Sequence, residues 1–252
     1  MKVNYAEMSW VEVREAIEKD TIAILPTGCI EQHGPHLPLD CDAASPEKAV
    51  GRACREHGLS AVVLPVLPYG LAIEHMSFPG TISLSQETHL RVVREIVASL
   101  LQHGFRRIVI IRGCGGHLGL EAAVYELWSQ QRRQGHDVFI EVAPIFAGME
   151  EVQAVAQRLF PNCQDVHAGE GETSMVLATR PHLVAMERVP QTRSQAPPHG
   201  SWWARAEEIS ENGAAGEPRR ASAEAGRELL AALEQSLVEW LTEFDRRTRS
   251  RS

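Results

Sequence analysis

No apolar run in this chain of 252 residues approaches membrane-spanning length, and the opening Met1-Lys2-Val3-Asn4-Tyr5 lacks the apolar core of a secretion signal. Membrane partners are therefore not expected. An excess of positive charge is missing too. With 25 Lys and Arg against 33 Asp and Glu, the formal charge is −8, which argues against a nucleic-acid-binding surface. A disulfide framework is also lacking: Cys29, Cys41, Cys54, Cys114 and Cys163 are odd in number and scattered, which fits a reducing, cytoplasmic setting. There is no internal repeat, low-complexity segment or dividing linker. One domain is expected over residues 1–245, followed by a disordered basic tail, 246–252.

What is present is a strand–loop–helix pattern that recurs along the chain. Apolar runs at Thr21–Leu25, Ala61–Leu67, Arg107–Ile111 and Phe139–Pro144 read as buried strands, the internal proline of the second marking an edge or a strand end. Helical periodicity occupies Ser9–Asp20, Ser85–His103 with Gly104 as its stop, Leu118–Gln134, Met175–Thr179 and Ser222–Phe244. Ser45-Pro46-Glu47 reads as a further helix start, Ser45 capping and Pro46 in the first helical position, with Gly58 ending that helix. The alternation predicts an α/β fold, a mostly parallel sheet with helices on both faces. Pro190–Trp203 reads as a loop, its Trp202-Trp203 pair either packed or covering a substrate or a subunit neighbour.

Three loops carry the ionisable residues. The first follows the first strand and holds Glu31, His33, His36, Asp40 and Asp42 on a path set by Gly34, Pro35 and Pro38. The second offers Cys114 and His117, and the third His167, Glu170 and Glu172. In a parallel sheet the three emerge on one edge and can converge. Carboxylates and imidazoles at this density suit one or two divalent metals of borderline softness, Zn, Mn or Fe. Two such ions bridged by a carboxylate would activate a water and polarise a carbonyl, and a neighbouring histidine could carry the proton to a leaving nitrogen.

Glu31-Gln32-His33-Gly34-Pro35-His36-Leu37-Pro38-Leu39-x-x-Asp42, then Phe78-Pro79-Gly80-Thr81, Gly115-Gly116, His167-Ala168-Gly169-x-x-Glu172-Thr173-Ser174 and Asn212-Gly213-x-x-Gly216-x-Pro218 resemble the creatininase (creatinine amidohydrolase) family. The resemblance covers the chain up to about residue 240 and keeps the motifs in order. It implies a three-layer α/β/α sandwich, a dinuclear metal centre and hydrolysis of C–N bonds in small polar amides, cyclic amides or formamides. It also implies homo-oligomers, often hexamers. By the same resemblance Glu31 corresponds to a ligand of one metal, His33 to a ligand of the other and Asp42 to the bridging carboxylate. His167 corresponds to a proton-transfer histidine, and Glu172 to a ligand or water-orienting base.

Two departures matter. Where the family has Asn-Gly-His-Gly-Gly-Asn, this chain has Arg112-Gly113-Cys114-Gly115-Gly116-His117. Cys114 is then a substitute ligand favouring zinc, or His117 reaches the metal or the substrate from three residues later, or the site holds one metal. A serine often found near Ala72 is absent, which counts against creatinine itself. Arg112 is a candidate for recognising a substrate anion, or pairs with a nearby acid. His75 is a candidate for the pocket wall and substrate contact, and His36 for loop support. Glu170 is expected to be solvated, and Cys29, Cys41, Cys54 and Cys163 to be packing residues. Two other readings remain: a cysteine amidase using Cys114 as nucleophile, and a non-catalytic ligand-binding homologue whose metal site has decayed.

Overall fold

The computed structural model describes residues 2–143, 149–162, 166–189 and 205–249. In chain order the elements are α1 (Trp10–Glu18), β1 (Ile22–Pro26), α2 (Cys41–Glu56), β2 (Ala61–Val63), α3 (Gln86–His103), β3 (Arg107–Ile111) and α4 (Leu120–Arg133). They continue with β4 (Phe139–Ala143), α5 (Glu150–Leu159), α6 (Glu170–Thr179), α7 (Ala206–Ile209) and α8 (Ala223–Arg249). The strands run parallel in the order β2-β1-β3-β4. Ile24 is in register with Val63 on one side and Val109 on the other.

The period of two along each strand sorts the core into two halves. Ile22, Ile24, Val109 and Ile111 face α2, α5 and α8, where Val50, Val152, Leu233 and Leu237 meet them. Ala23, Leu25, Ile108 and Ile110 face α1, α3 and α4, against Ala16, Val97, Leu100 and Val124. Each fully buried aliphatic side chain of this kind contributes about 1.5–3 kcal/mol. The result is the expected α/β/α sandwich. Local signals hold at several ends. Ser9 closes a capping box with Glu12, the Ser85 hydroxyl accepts from the Thr88 N–H, and Gly104 ends α3 at φ 111°.

Five stretches differ from the sequence reading, the first being β2, which ends at Val63 rather than Leu67, two residues ahead of Pro65. α2 begins at Cys41, four residues ahead of Ser45, because its first turn is fixed from outside: Arg180 grips both carboxylate oxygens of Asp40 at 2.7 Å, and the Ala44 N–H donates to Asp40 O. Tertiary packing there outweighs the cap preference of serine. α6 starts at Glu170 rather than Met175, so the polar third motif is itself helical. α5 occupies a stretch read only as polar. α8 continues to Arg249, so the basic residues 246–249 are helical rather than a disordered tail, with Arg247 bonded to Glu141 and Arg246 to Glu243. Residues 250–252, Cys163, Asp165, Pro144 and the Pro190–Trp203 loop, including Trp202 and Trp203, lie outside the described residues.

β1 is followed by β2 on one side of the sheet, while β3 and β4 lie on the other. The switch point lies between β1 and β3, and a crevice beyond their carboxyl ends is the place where such sheets bind ligands. No described helix is long and apolar enough to cross a membrane.

Candidate metal and active site

The chain leaves β1 at Gly28, pressed against the first turn of α2. A β-carbon on Gly28 would stand 2.4 Å from Asp42 O and 2.5 Å from Ala43 Cα, so only glycine fits. This close approach sets Asp42, on the first turn of α2, beside the loop that carries Glu31 and His33. From the end of β3, Cys114 arrives opposite, its Sγ 3.4 Å from Glu31 Oε2. α6 supplies Glu172, held at its start by the Ala168 N–H, and Ala168 itself takes a left-handed φ of 50°.

Glu31 is 2% exposed. Burial, and then the Asp42 charge beside it, push its carboxyl well above the ordinary carboxylate range. Glu172 is raised as well, chiefly by burial. Burial alone would raise Asp42, yet the His33 ring outweighs it and holds that carboxyl below its usual value. His33 is fully buried. Its Nδ1 lies 3.2 Å from Glu31 O, and its Nε2 faces Asp42 Oδ1 at 3.4 Å and Glu172 Oε2 at 3.8 Å without a hydrogen bond. Burial would lower this imidazole, but Cys41, Asp42 and Glu172 prevail and raise it well above its ordinary value. A buried imidazole nitrogen facing two carboxylates, outside hydrogen-bond geometry with either, is a donor set that fits a divalent cation.

Gln32 fixes the orientation of two further histidines. Its side-chain amide donates to His75 Nδ1 at 2.8 Å and to Gly213 O at 3.1 Å. His167 Nε2–H donates to Gln32 O at 2.6 Å. These partners assign the tautomers. His167 therefore directs an unprotonated Nδ1 towards Glu31 Oε1, 3.8 Å away, and His75 directs its Nε2–H towards the same oxygen at 3.6 Å. The two rings stack at 4.2 Å. Burial, then His33 and His75, keep His167 well below its ordinary pKa, so it is neutral at neutral pH. His75 is lowered to about 4, mainly by burial.

Of the residues singled out in the sequence, Glu31, His33, Asp42, Cys114, His75, His167 and Glu172 meet in this one region. Arg112 is bonded to Glu121 instead, the pairing foreseen as its alternative. His117 is fully buried and turned inward, Nδ1 on Thr27 Oγ1 at 3.0 Å and Nε2 facing Cys29 Sγ at 3.1 Å, so its ring offers no edge to a substrate, but it lies with the Cys29 and Cys114 sulfurs in a group whose ligand atoms are all within 4.8 Å, as the metal-binding alternative requires. Glu170 is not solvated: it is 1% exposed and accepts from the Glu217 N–H at 2.6 Å. His36 supports the loop through Thr173 Oγ1 at 2.9 Å, as expected. Two residues were missed. Gln32 orients both histidines, and its place between two motif residues was a usable signal. Cys29, read as packing, lies within ligand distance of Cys114, which no local pattern announced.

Comparison with known proteins agrees with this geometry. The family model described as "Creatininase: Creatinine amidohydrolase" matches residues 6–241. The chain is 33% identical over 198 residues to a creatinine amidohydrolase of Pseudomonas putida, covering 73% of this chain and 74% of that one. It is 30% identical over 228 residues to a mycofactocin precursor peptide peptidase of Mycolicibacterium smegmatis, covering 84% and 81%. The solved structure "Creatininase Mn" superposes with a TM-score of 0.86 at 27% identity, over 96% of this chain and 98% of that one. The chain belongs to the creatininase family, hydrolases of carbon–nitrogen bonds.

Proposed function

We propose that this protein hydrolyses a C–N bond in a small polar amide, cyclic amide or formamide, using divalent cations held by two adjoining donor sets that share Asp42. Glu31, Asp42 and Cys114 form one set; His33, Asp42 and Glu172 form the other. The observation that carries this reading is His33 Nε2, buried, without a hydrogen bond, and flanked by the Asp42 and Glu172 oxygens. Two carboxylates gathered at one buried imidazole nitrogen leave negative charge that a divalent cation would balance. Cations in these sets supply Lewis acidity towards a carbonyl oxygen and lower the pKa of a water.

The chain's own residues do the rest. His167, neutral with Nδ1 turned inward, accepts the proton of the attacking water and returns it to the departing nitrogen. Gln32 keeps it in that tautomer by accepting from Nε2–H through its backbone carbonyl. His75 stacks on His167 and limits its rotation. Glu172, whose side chain is less buried than that of Glu31, serves as a ligand or as the base that orients the water. The exposed Tyr69, Ile73, Met76 and Ile82, close together in the chain after β2, support assembly as a homo-oligomer.

Similarity to a peptidase favours a peptide C–N bond as a second substrate class. A Cys114 nucleophile is disfavoured: the Cys29 thiol beside it, burial and the Glu31 and Asp42 charges all push its pKa up, away from thiolate. The test is release of amine or ammonia from a panel of formamides, lactams and short peptides before and after chelation. Turnover that stops on chelation and returns with zinc or manganese supports the proposal. Turnover indifferent to chelation contradicts it.

A further inference from the structure

We propose that the donor set at the end of β3 is a dithiolate site, with Cys29 and Cys114 together binding a soft or borderline cation such as zinc. The inference rests on the reading of this cleft as a metal centre and adds a residue to it. Cys29 Sγ, Cys114 Sγ and one carboxylate oxygen each of Glu31 and Asp42 all lie within 4.8 Å of one another. Zn–S bonds of about 2.3 Å and Zn–O bonds of about 2.1 Å place tetrahedral ligands roughly 3.5 Å apart, so these four atoms need close by only about an ångström. Both cysteines are buried, at 0% and 4% exposure, and come from different strand ends. Two thiols packed between two carboxylates gain little as hydrophobic filling, because both acids stay desolvated. Once deprotonated, the thiols supply two soft anionic donors, and binding one cation releases their two protons to solvent.

A third side chain aims Cys29. The Thr27 hydroxyl donates to Ile111 O at 3.0 Å, so its oxygen accepts from His117 Nδ1–H, and His117 Nε2 is left facing Cys29 Sγ at 3.1 Å. His117 packs on His89, ring to ring at 4.4 Å, and a β-carbon at Gly70 would lie 2.0 Å from its Nε2. His117 also lies within 4.8 Å of both sulfurs, and the proposal gives it a positioning role behind Cys29. Thiolate donors favour zinc over manganese, so the two adjoining positions select different ions: soft at Cys29 and Cys114, and nitrogen–oxygen at His33 and Glu172.

The test titrates cobalt(II) into the chelated full chain and reads the near-ultraviolet thiolate-to-cobalt charge-transfer band, whose intensity follows the number of bound thiolates. The expected result is a two-thiolate band in the wild type, halved in Cys29→Ser and in Cys114→Ser and absent from the double variant. His117→Ala should keep the band and weaken cobalt binding by about 10–100-fold. Sulfur scatterers counted by X-ray absorption on the zinc-loaded wild type give a reading independent of variant folding: two per chain are expected. A single sulfur per chain, or a band unchanged by Cys29→Ser while cobalt still binds, overturns the dithiolate and leaves the metal centre standing. No cobalt or zinc bound at all overturns both.

Discussion

His33 Nε2 stands 3.4 Å from Asp42 Oδ1, fully buried, and forms no hydrogen bond there. The pair joins the loop after β1 to the first turn of α2 and gives the second donor set its nitrogen. His33→Ala should reduce bound metal by one ion per chain and lower activity by more than about 100-fold, beyond the loss of about 10–100-fold typical when only a ligand's supporting partner is removed. Elemental analysis alongside steady-state rates checks this, and undiminished metal content would count against His33 as a ligand.

Thiol chemistry separates the metal reading from the nucleophile reading. With metal bound, Cys114 should react slowly with iodoacetamide and turnover should persist, because the sulfur is both buried and coordinated. Chelation should speed labelling at Cys114, followed by peptide mass spectrometry. Rapid labelling of the metal-loaded protein with loss of turnover and unchanged metal content would favour the nucleophile.

The site also depends on a helix contact far from its ligands. A β-carbon on Gly226 of α8 would lie 1.9 Å from Ser174 O of α6, two residues beyond Glu172. Gly226→Ala should therefore destabilise the fold by at least about 2 kcal/mol, since backbone cannot yield as a side chain does. Urea unfolding measures the loss, and weaker metal binding should accompany it because α6 carries Glu172.

A pH effect follows from His36, which is lowered to about 4 by burial and then by His33. Between the unfolded value of 6.5 and about 4, the unfolded chain holds a proton at this residue that the folded chain does not. Its contribution to stability is therefore complete above pH 6.5 and is lost as pH falls through that window, by about 1.4 kcal/mol per pH unit. Glu31 and Glu172, raised in the fold, work in the opposite direction over part of the window, so total stability does not isolate the effect. The difference between wild type and His36→Gln does: its slope against pH should be about one proton. Parallel curves would show that His36 is protonated in the native state.

Much of this was legible in the sequence, for physical reasons that differ by element. β3 and α3 were read to within a residue because a continuous apolar run and a Ser–Gly pair of caps are local signals. The start of α2 was misplaced because what fixes it, Arg180 on Asp40 and the bare Cα of Gly28, comes from elsewhere in the chain. Glu31, His33 and Asp42 share one loop-and-turn segment and announced themselves. Cys29 did not, since a thiol followed by an isoleucine looks like filling until β3 delivers Cys114 beside it. His117 and Arg112 looked available in a glycine-rich loop, and only the folded chain shows one turned onto Thr27 and the other onto Glu121.

The central claim is that Asp42 is shared by two donor sets, and metal stoichiometry tests it most directly. Wild type and Asp42→Ala, each chelated, reloaded with zinc and freed of excess by gel filtration, would be compared by elemental analysis, with circular dichroism confirming that both are folded. The account predicts two ions per chain in the wild type and less than one in Asp42→Ala, with hydrolysis lost in the variant. A wild type that retains no metal while hydrolysing its substrate, or an Asp42→Ala chain that keeps both ions, would contradict it.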